Sequence, residues 1–315
     1  MTRIGLLHPL SGRPPLGRRR IVALLGLAAL FLSGCATGMQ GAAPAPPVAT
    51  AGSAEGARAQ ALAALETRRA ARAKQLFESI LAQTPDDPEA LMGLGEAEVL
   101  LGDFAGALEH SRKAAERAGE RAALRGRALH NSGTALLLTD RTAEAGKALE
   151  AAVEANPTSW RAWNALGRVR DAGRDWERAR SAYERALALV PREGAVLNNF
   201  GLSKLSAGDL DGATALFVRA LEASPDLAAA ETNLRLTLAL RGRYDEALAG
   251  VDAASMPDAL NNAGYAALLR GDYGKSRALF LQAIDASPSF YEPSWSNLRF
   301  LSSVEQRQAL ASRVP

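Results

Sequence analysis

The sequence predicts an all-α chain made of stacked helical hairpins, and three observations predict it. Apolar residues make up 48% of the chain while aromatics make up only 5%, with Ala and Leu dominant. Together with Glu and Arg, this is the composition of helices rather than of a sandwich or barrel. Second, the sequence repeats itself every 34 residues: Pro157, Pro191 and Pro225 are each 34 apart, as are Gly133, Gly167 and Gly201. Third, Ala145, Ala179 and Ala213 keep the same spacing between them. A period of that length accommodates two helices and their turns, the mark of a repeat architecture.

Residues 1–34 read as a signal peptide. Arg18, Arg19 and Arg20 form a basic cluster, followed by the uncharged apolar run Ile21 to Leu32. Twelve residues are too few to span a bilayer core, which needs about 20. The run ends in Leu32-Ser33-Gly34-Cys35, which resembles the lipobox of bacterial lipoproteins. That resemblance implies lipidation of Cys35, with the thiol taking up diacylglycerol before cleavage. It implies an anchor in the cell envelope, and Ala36 after the Cys resembles the outer-membrane class. Two or more acyl chains hold a protein on a membrane where one does so only marginally. Cys35 is the only cysteine, so no disulfide framework is expected.

The signal also distorts the charge. It carries five basic residues and no acidic one, so 37 − 5 = 32 basic residues face 34 acidic ones in the remainder. That balance gives no reason to expect nucleic acid as a partner. Residues 35–56 (the Cys, then a Pro/Ala/Gly-rich stretch) lack apolar periodicity and read as a disordered linker.

Residues 57–315 form the repeat domain. The clearest unit, 160–193, places Trp163, Leu166, Gly167, Ala179, Tyr183, Ala186 and Pro191 at fixed offsets. The next, 194–227, matches it with Leu197, Phe200, Gly201, Ala213, Phe217, Ala220 and Pro225. The unit 257–290 carries Leu260, Gly264, Phe280, Ala283 and Pro288, with Ser276 at the usual Ala position. Units at 88–121, 126–159 and 228–256 are less regular; the second follows a four-residue insertion, and the third has Arg235 for Gly and a shortened second helix. Ala73, Phe77 and Pro85 mark a degenerate first unit over 57–87, and a capping helix is expected over about 291–312.

These offsets resemble the tetratricopeptide pattern W-x2-L-G-x2-Y…A-x3-F…P. The resemblance implies about seven helix-turn-helix units in a right-handed superhelical solenoid, whose concave face holds protein partners. The Gly lets the second helix approach the first, and the Pro ends the second helix because it lacks an N–H. In such folds the first helix of each unit lines the groove. Counted from the first residue of a unit, position 6 is Asn131, Asn199, Asn233 and Asn262, and position 5 is Asn198 and Asn261. An amide both donates and accepts, so a ladder of them suits a peptide backbone. Leu202, Leu205, Leu236, Leu240, Tyr265, Leu268 and Leu269 are expected beside them, and Arg161, Arg168 and Asp171 form a local charged patch.

Catalysis needs a constellation that the sequence lacks: His110 and His130 sit in no metal spacing, and no GxSxG or phosphate loop occurs. No enzyme activity, cofactor or small-molecule substrate is expected. The segment from Asn261-Asn262-Ala263-Gly264-Tyr265 through Gly271-Asp272-Tyr273, Phe280 and Tyr291 to Asn297-Leu298 resembles the TadD-type lipoproteins of the Flp (tight adherence, Tad) pilus system. That resemblance implies a role in assembling the pilus secretin at the periplasmic face of the outer membrane. Two alternatives stand beside it: an adaptor for peptidoglycan hydrolases or proteases, and a pilotin of another secretion or type IV pilus system.

Overall fold

A computed structural model describes residues 54–287, 289 and 291–311, which form fifteen α-helices with no strand among them. The signal segment, Cys35 and the linker up to residue 53 lie outside the described residues, as do Pro288 and Phe290. None of the described helices is long and apolar enough to cross a membrane. The chain divides at Pro191/Arg192 into two compact units.

The first unit holds four hairpins: α1 (Ala54–Glu66) with α2 (Ala70–Gln83), α3 (Pro88–Leu101) with α4 (Phe104–Arg117), α5 (Ala122–Leu138) with α6 (Thr142–Ala155), and α7 (Trp160–Ala172) with α8 (Trp176–Leu189). The second holds α9 (Gly194–Ser206) with α10 (Leu210–Ala223), α11 (Ala228–Leu240) with α12 (Tyr244–Leu248), α13 (Met256–Arg270) with α14 (Tyr273–Ala286), and the single helix α15 (Glu292–Ala311). Within each unit the two helices of a hairpin pack together, and the first helices of successive hairpins pack side by side.

Local chemistry sets the helix ends. Asp87 caps α3, its carboxylate accepting from the N–H groups of Glu89 (3.0 Å) and Ala90 (3.1 Å), and Pro88 fills the first turn where no N–H is needed. Asp103, Asp175 and Asp209 cap the second helices α4, α8 and α10 in the same way. Second helices stop two residues before a proline: α6 at Ala155, α8 at Leu189 and α10 at Ala223. The turn inside a hairpin needs one residue at positive φ, which Gly102 (80°), Gly208 (87°) and Gly271 (84°) supply. Arg68 (55°), Asp140 (61°) and Arg174 (58°) adopt the same conformation with a side chain in place.

The packing follows the repeat, with one correction. The small residues Ala107, Ala145, Ala179 and Ala213 are fully buried. What meets the repeat's glycine in four of the hairpins, however, is the residue four later on the second helix. A Cβ on Gly133 would lie 2.5 Å from Leu149, on Gly167 2.7 Å from Tyr183, on Gly201 2.5 Å from Phe217 and on Gly264 2.7 Å from Phe280. The glycine thus makes room for a large side chain rather than for backbone alone. Phe217 and Phe280 are fully buried there, and each such burial stabilises by about 1.5–3 kcal/mol. Ser276 fits the Ala position because its hydroxyl donates to the Gly264 carbonyl at 2.8 Å and so is not left unsatisfied.

Three irregular places resolve simply. The four-residue insertion extends α5 at its start to 17 residues. The short second helix of the 228–256 unit is α12, five residues long. Arg235 fills the space left by the missing turns: its guanidinium donates to the carbonyls of Ala247 (2.9 Å) and Ala249 (2.8 Å) at the end of α12 and pairs with Glu231. The capping helix α15 buries Leu298 and Leu301 against Leu268 and Phe280, while Trp295 stays 39% exposed.

Candidate functional site

The expected ligand face is the one formed by the first helices of the hairpins. In the second unit the asparagines bond along the stack. Asn198 is buried, and its Oδ1 accepts from Asn233 Nδ2 at 2.9 Å, joining α9 to α11. Asn261 Oδ1 accepts from Ser294 Oγ and Asn297 Nδ2, both at 2.9 Å, joining α13 to α15. These amides therefore hold neighbouring hairpins in register, whatever else they bind. Asn199 and Asn262 are half-buried, as are Leu202, Leu236, Leu269 and Tyr265. Burial raises the Tyr265 hydroxyl above its ordinary value. Leu205, Leu240 and Leu268 do not line this face; they belong to the core at 2%, 6% and 7% exposure. Their positions fall toward the helix end, where the face turns into the hairpin's own interior.

In the first unit Asn131 on α5 is buried and donates to the Met92 carbonyl of α3 at 3.3 Å. Beside it His130 is half-buried. Desolvation pushes its imidazole down from 6.5 to about 4, against the pull of a hydrogen bond with Asn131 and with the help of the cations Arg161, Arg127 and Arg168. Arg161 and Arg168 stand on α7, which packs beside α5. Arg161 lies over the Trp160 ring, 4.4 Å from its centroid. Arg127 bonds Glu96 at 3.1 Å. Asp171 accepts from the buried Tyr183 hydroxyl at 2.7 Å, and burial, then that carboxylate, raises the phenol well above its ordinary range.

A second polar cluster, which sequence reasoning passed over, joins three helices of the first unit. Glu98 is 2% exposed on α3. Its carboxylate takes His110 Nδ1 of α4 at 2.8 Å and Lys74 Nζ of α2 at 3.4 Å. Lys74 also faces Asp103 at 3.5 Å. Desolvation pulls the Lys74 ammonium down, but the surrounding carboxylates, led by Glu98, outweigh it and leave the group raised. The cluster is a buried carboxylate paired with the Lys74 ammonium and hydrogen-bonded to the His110 ring, a structural solution. In the sequence Glu98 is one of three glutamates of α3, with Glu89 and Glu96, and nothing marks it apart from them. No group of three or more potential metal ligands occurs among the described residues.

The tetratricopeptide-repeat family model matches residues 58–123, 130–194 and 241–289, more than half of the chain. The chain is a tetratricopeptide-repeat protein. Residues 195–240, outside those matches, form the same hairpins in the structure, α9 with α10 and then α11. No curated protein matches the chain in sequence. Among solved structures it is similar to TTC0263, a tetratricopeptide protein of Thermus thermophilus, at 24% identity over 62% of this chain and 99% of that one, with a TM-score of 0.52. A tetratricopeptide protein of Parabacteroides merdae gives 13% identity over 79% and 98%, also at 0.52. Human IFIT1, solved as a dimer with m7Gppp-AAAA, gives 17% over 81% and 64%, at 0.57. These likenesses establish the fold. A tetratricopeptide array is a scaffold for protein–protein interaction, because each hairpin adds another strip of surface to one face.

Proposed function

We propose that this tetratricopeptide protein is a lipid-anchored scaffold of the bacterial cell envelope that helps assemble the secretin of a Flp (Tad) pilus. The observation that carries the reading is the order of parts: a basic and apolar leader, a lone Cys35 in a lipobox-like Leu-Ser-Gly-Cys, a Pro/Ala/Gly-rich spacer, then the repeats. That order suits a tether holding a binding array away from a bilayer. The outer-membrane location follows from Ala36 after the lipidated Cys, and the pilus assignment from the Asn261–Leu298 segment. The asparagines Asn199, Asn233 and Asn262, with Leu202, Leu236 and Tyr265, are the partner-contacting residues in this reading.

Two experiments test it. Cys35→Ala should shift the protein from the membrane fraction to the soluble envelope fraction; continued tight membrane association refutes the anchor. Crosslinking in intact envelopes followed by capture of the chain should recover a secretin. Recovery of cell-wall hydrolases alone removes the pilus reading and leaves an adaptor of peptidoglycan enzymes in its place.

A further inference from the structure

The turns inside the hairpins of the first unit differ from those of the second. First helices α1, α3, α5 and α7 pack side by side, so the turns that follow them line one edge of that unit. Three large apolar residues are exposed there: Leu100 (42%) and Leu101 (46%) at the end of α3, and Leu138 (48%) at the end of α5. Among the described residues, no turn inside a hairpin of the second unit exposes one. Beside α3, the α1–α2 turn and the start of α2 carry Arg68, Arg69 and Arg72, all exposed, against the single acid Glu66. Arg68 takes the positive-φ place (55°) that Gly208, Gly242 and Gly271 take in the second unit, so the turn itself holds a cation. Arg69 donates to the Thr67 hydroxyl at 3.1 Å rather than to a carboxylate. Of the acids farther along, Asp103 caps α4 and faces Lys74, Glu144 pairs with Arg141, and Asp140 stands beyond Leu138. The α7–α8 end is of mixed charge, with Arg174 and Arg178 against Asp175 and Glu177.

We propose that this edge rests on a membrane surface, with Leu100, Leu101 and Leu138 in the headgroup boundary and Arg68, Arg69 and Arg72 on the phosphates of anionic lipids. Arginine meets phosphate through charge-assisted hydrogen bonds, and apolar side chains beside such cations add burial at the interface. A bilayer suits the edge better than a protein does. The leucines stand on separate turns, spaced like the helices that carry them at about 8–10 Å, rather than along one groove. A fluid surface meets such points without matching pockets. The tether permits the contact: residues 36–53, 18 in all, separate Cys35 from α1, and at up to about 3.5 Å each they exceed the roughly 20 Å length of that helix. The inference rests on the anchor reading and adds to it which edge of the first unit faces the bilayer. Three leucines offer less apolar surface than one acyl chain, which holds only marginally, so Cys35→Ala still releases the protein.

The test uses the full lipidated chain on phosphatidylglycerol vesicles that carry a spin-labelled lipid. A thiol-reactive dye is placed at each end of α4 in turn, through Ala105→Cys on the edge and Glu120→Cys beyond the opposite end, both exposed positions. The spin label should quench the dye at 105 and not the dye at 120. Leu100→Ser, Leu101→Ser and Leu138→Ser together should abolish that contrast while the acyl chains keep the protein on the vesicle. Arg69→Gln with Arg72→Gln should reduce it, as should phosphatidylcholine in place of phosphatidylglycerol. If the leucine variant melts early, the arginine variant reads the same edge. Equal quenching at both sites, no quenching at 105, or an undiminished contrast in either folded variant overturns the inference. The dye count separates it from the anchor reading. One dye per chain means that lipid blocks Cys35, and an unquenched dye at 105 then refutes the edge alone. Two dyes per chain refute the anchor, and the edge contact falls with it.

Discussion

Gly201 shows how one missing Cβ organises a hairpin. Phe217 occupies the space a side chain would take, and it is fully buried, so it has nowhere to retreat. Gly201→Ala should therefore destabilise the second unit by about 1–3 kcal/mol despite the better helix propensity of Ala. A urea unfolding curve checks this, and an unmoved midpoint would mean that the ring repacks freely. His130 gives a pH signature. Its value is depressed from 6.5 to about 4, so the unfolded chain takes up the proton first as pH falls. The stability associated with the neutral ring is full above 6.5 and is lost progressively as pH drops toward 4. Melting temperatures should thus decline between about pH 6.5 and 5, above the usual carboxylate range, and His130→Gln should flatten that decline. Parallel slopes in the two proteins would assign the decline to other groups.

At the scale of elements, the irregular hairpin α11–α12 is the informative one. Both of its departures were readable in the sequence: Arg235 where Gly is usual, and a second helix about five residues short. Their connection was not, because it depends on a guanidinium reaching carbonyls 12 and 14 residues away. The large side chain is tolerated because the missing turns leave it room. Arg235→Ala should then loosen α12 by about 1–3 kcal/mol, from lost charge-assisted hydrogen bonds. Hydrogen exchange should accelerate over residues 244–251 and little elsewhere; uniform acceleration, or none, would deny the bracing role. The Glu98 cluster has the same lesson, since the spacing of Lys74, Glu98 and His110 carries no pattern and only packing brings α2, α3 and α4 together.

At the scale of the molecule, the arrays depend on neighbours, because a hairpin in a stack is stable only when its open side is covered. For α13 and α14 that cover is α15, whose Leu298 and Leu301 close over Leu268 and Phe280. A chain truncated before Glu292 should melt at a lower temperature and bind more of a hydrophobic dye. An unchanged melting curve would show that α15 is an appendage rather than a cap.

The sequence by itself determined the helix class, the 34-residue period, the turns and their glycines, the prolines that end the second helices, and the cap. All of these are local: each follows from φ, from a missing N–H, or from the recurrence of apolar residues along one face. Tertiary structure alone decided which atoms the asparagines face. From the sequence Asn198, Asn233 and Asn261 are amides on a ligand face; in the fold Asn198 and Asn233 bond each other and Asn261 bonds α15. It likewise decided that Leu205, Leu240 and Leu268 are core and that two arginines of α7 stand beside His130 of α5. The physical reason is that a period fixes where a residue sits on its own helix, while the direction of a hydrogen bond or a charge is set by the next helix in the stack.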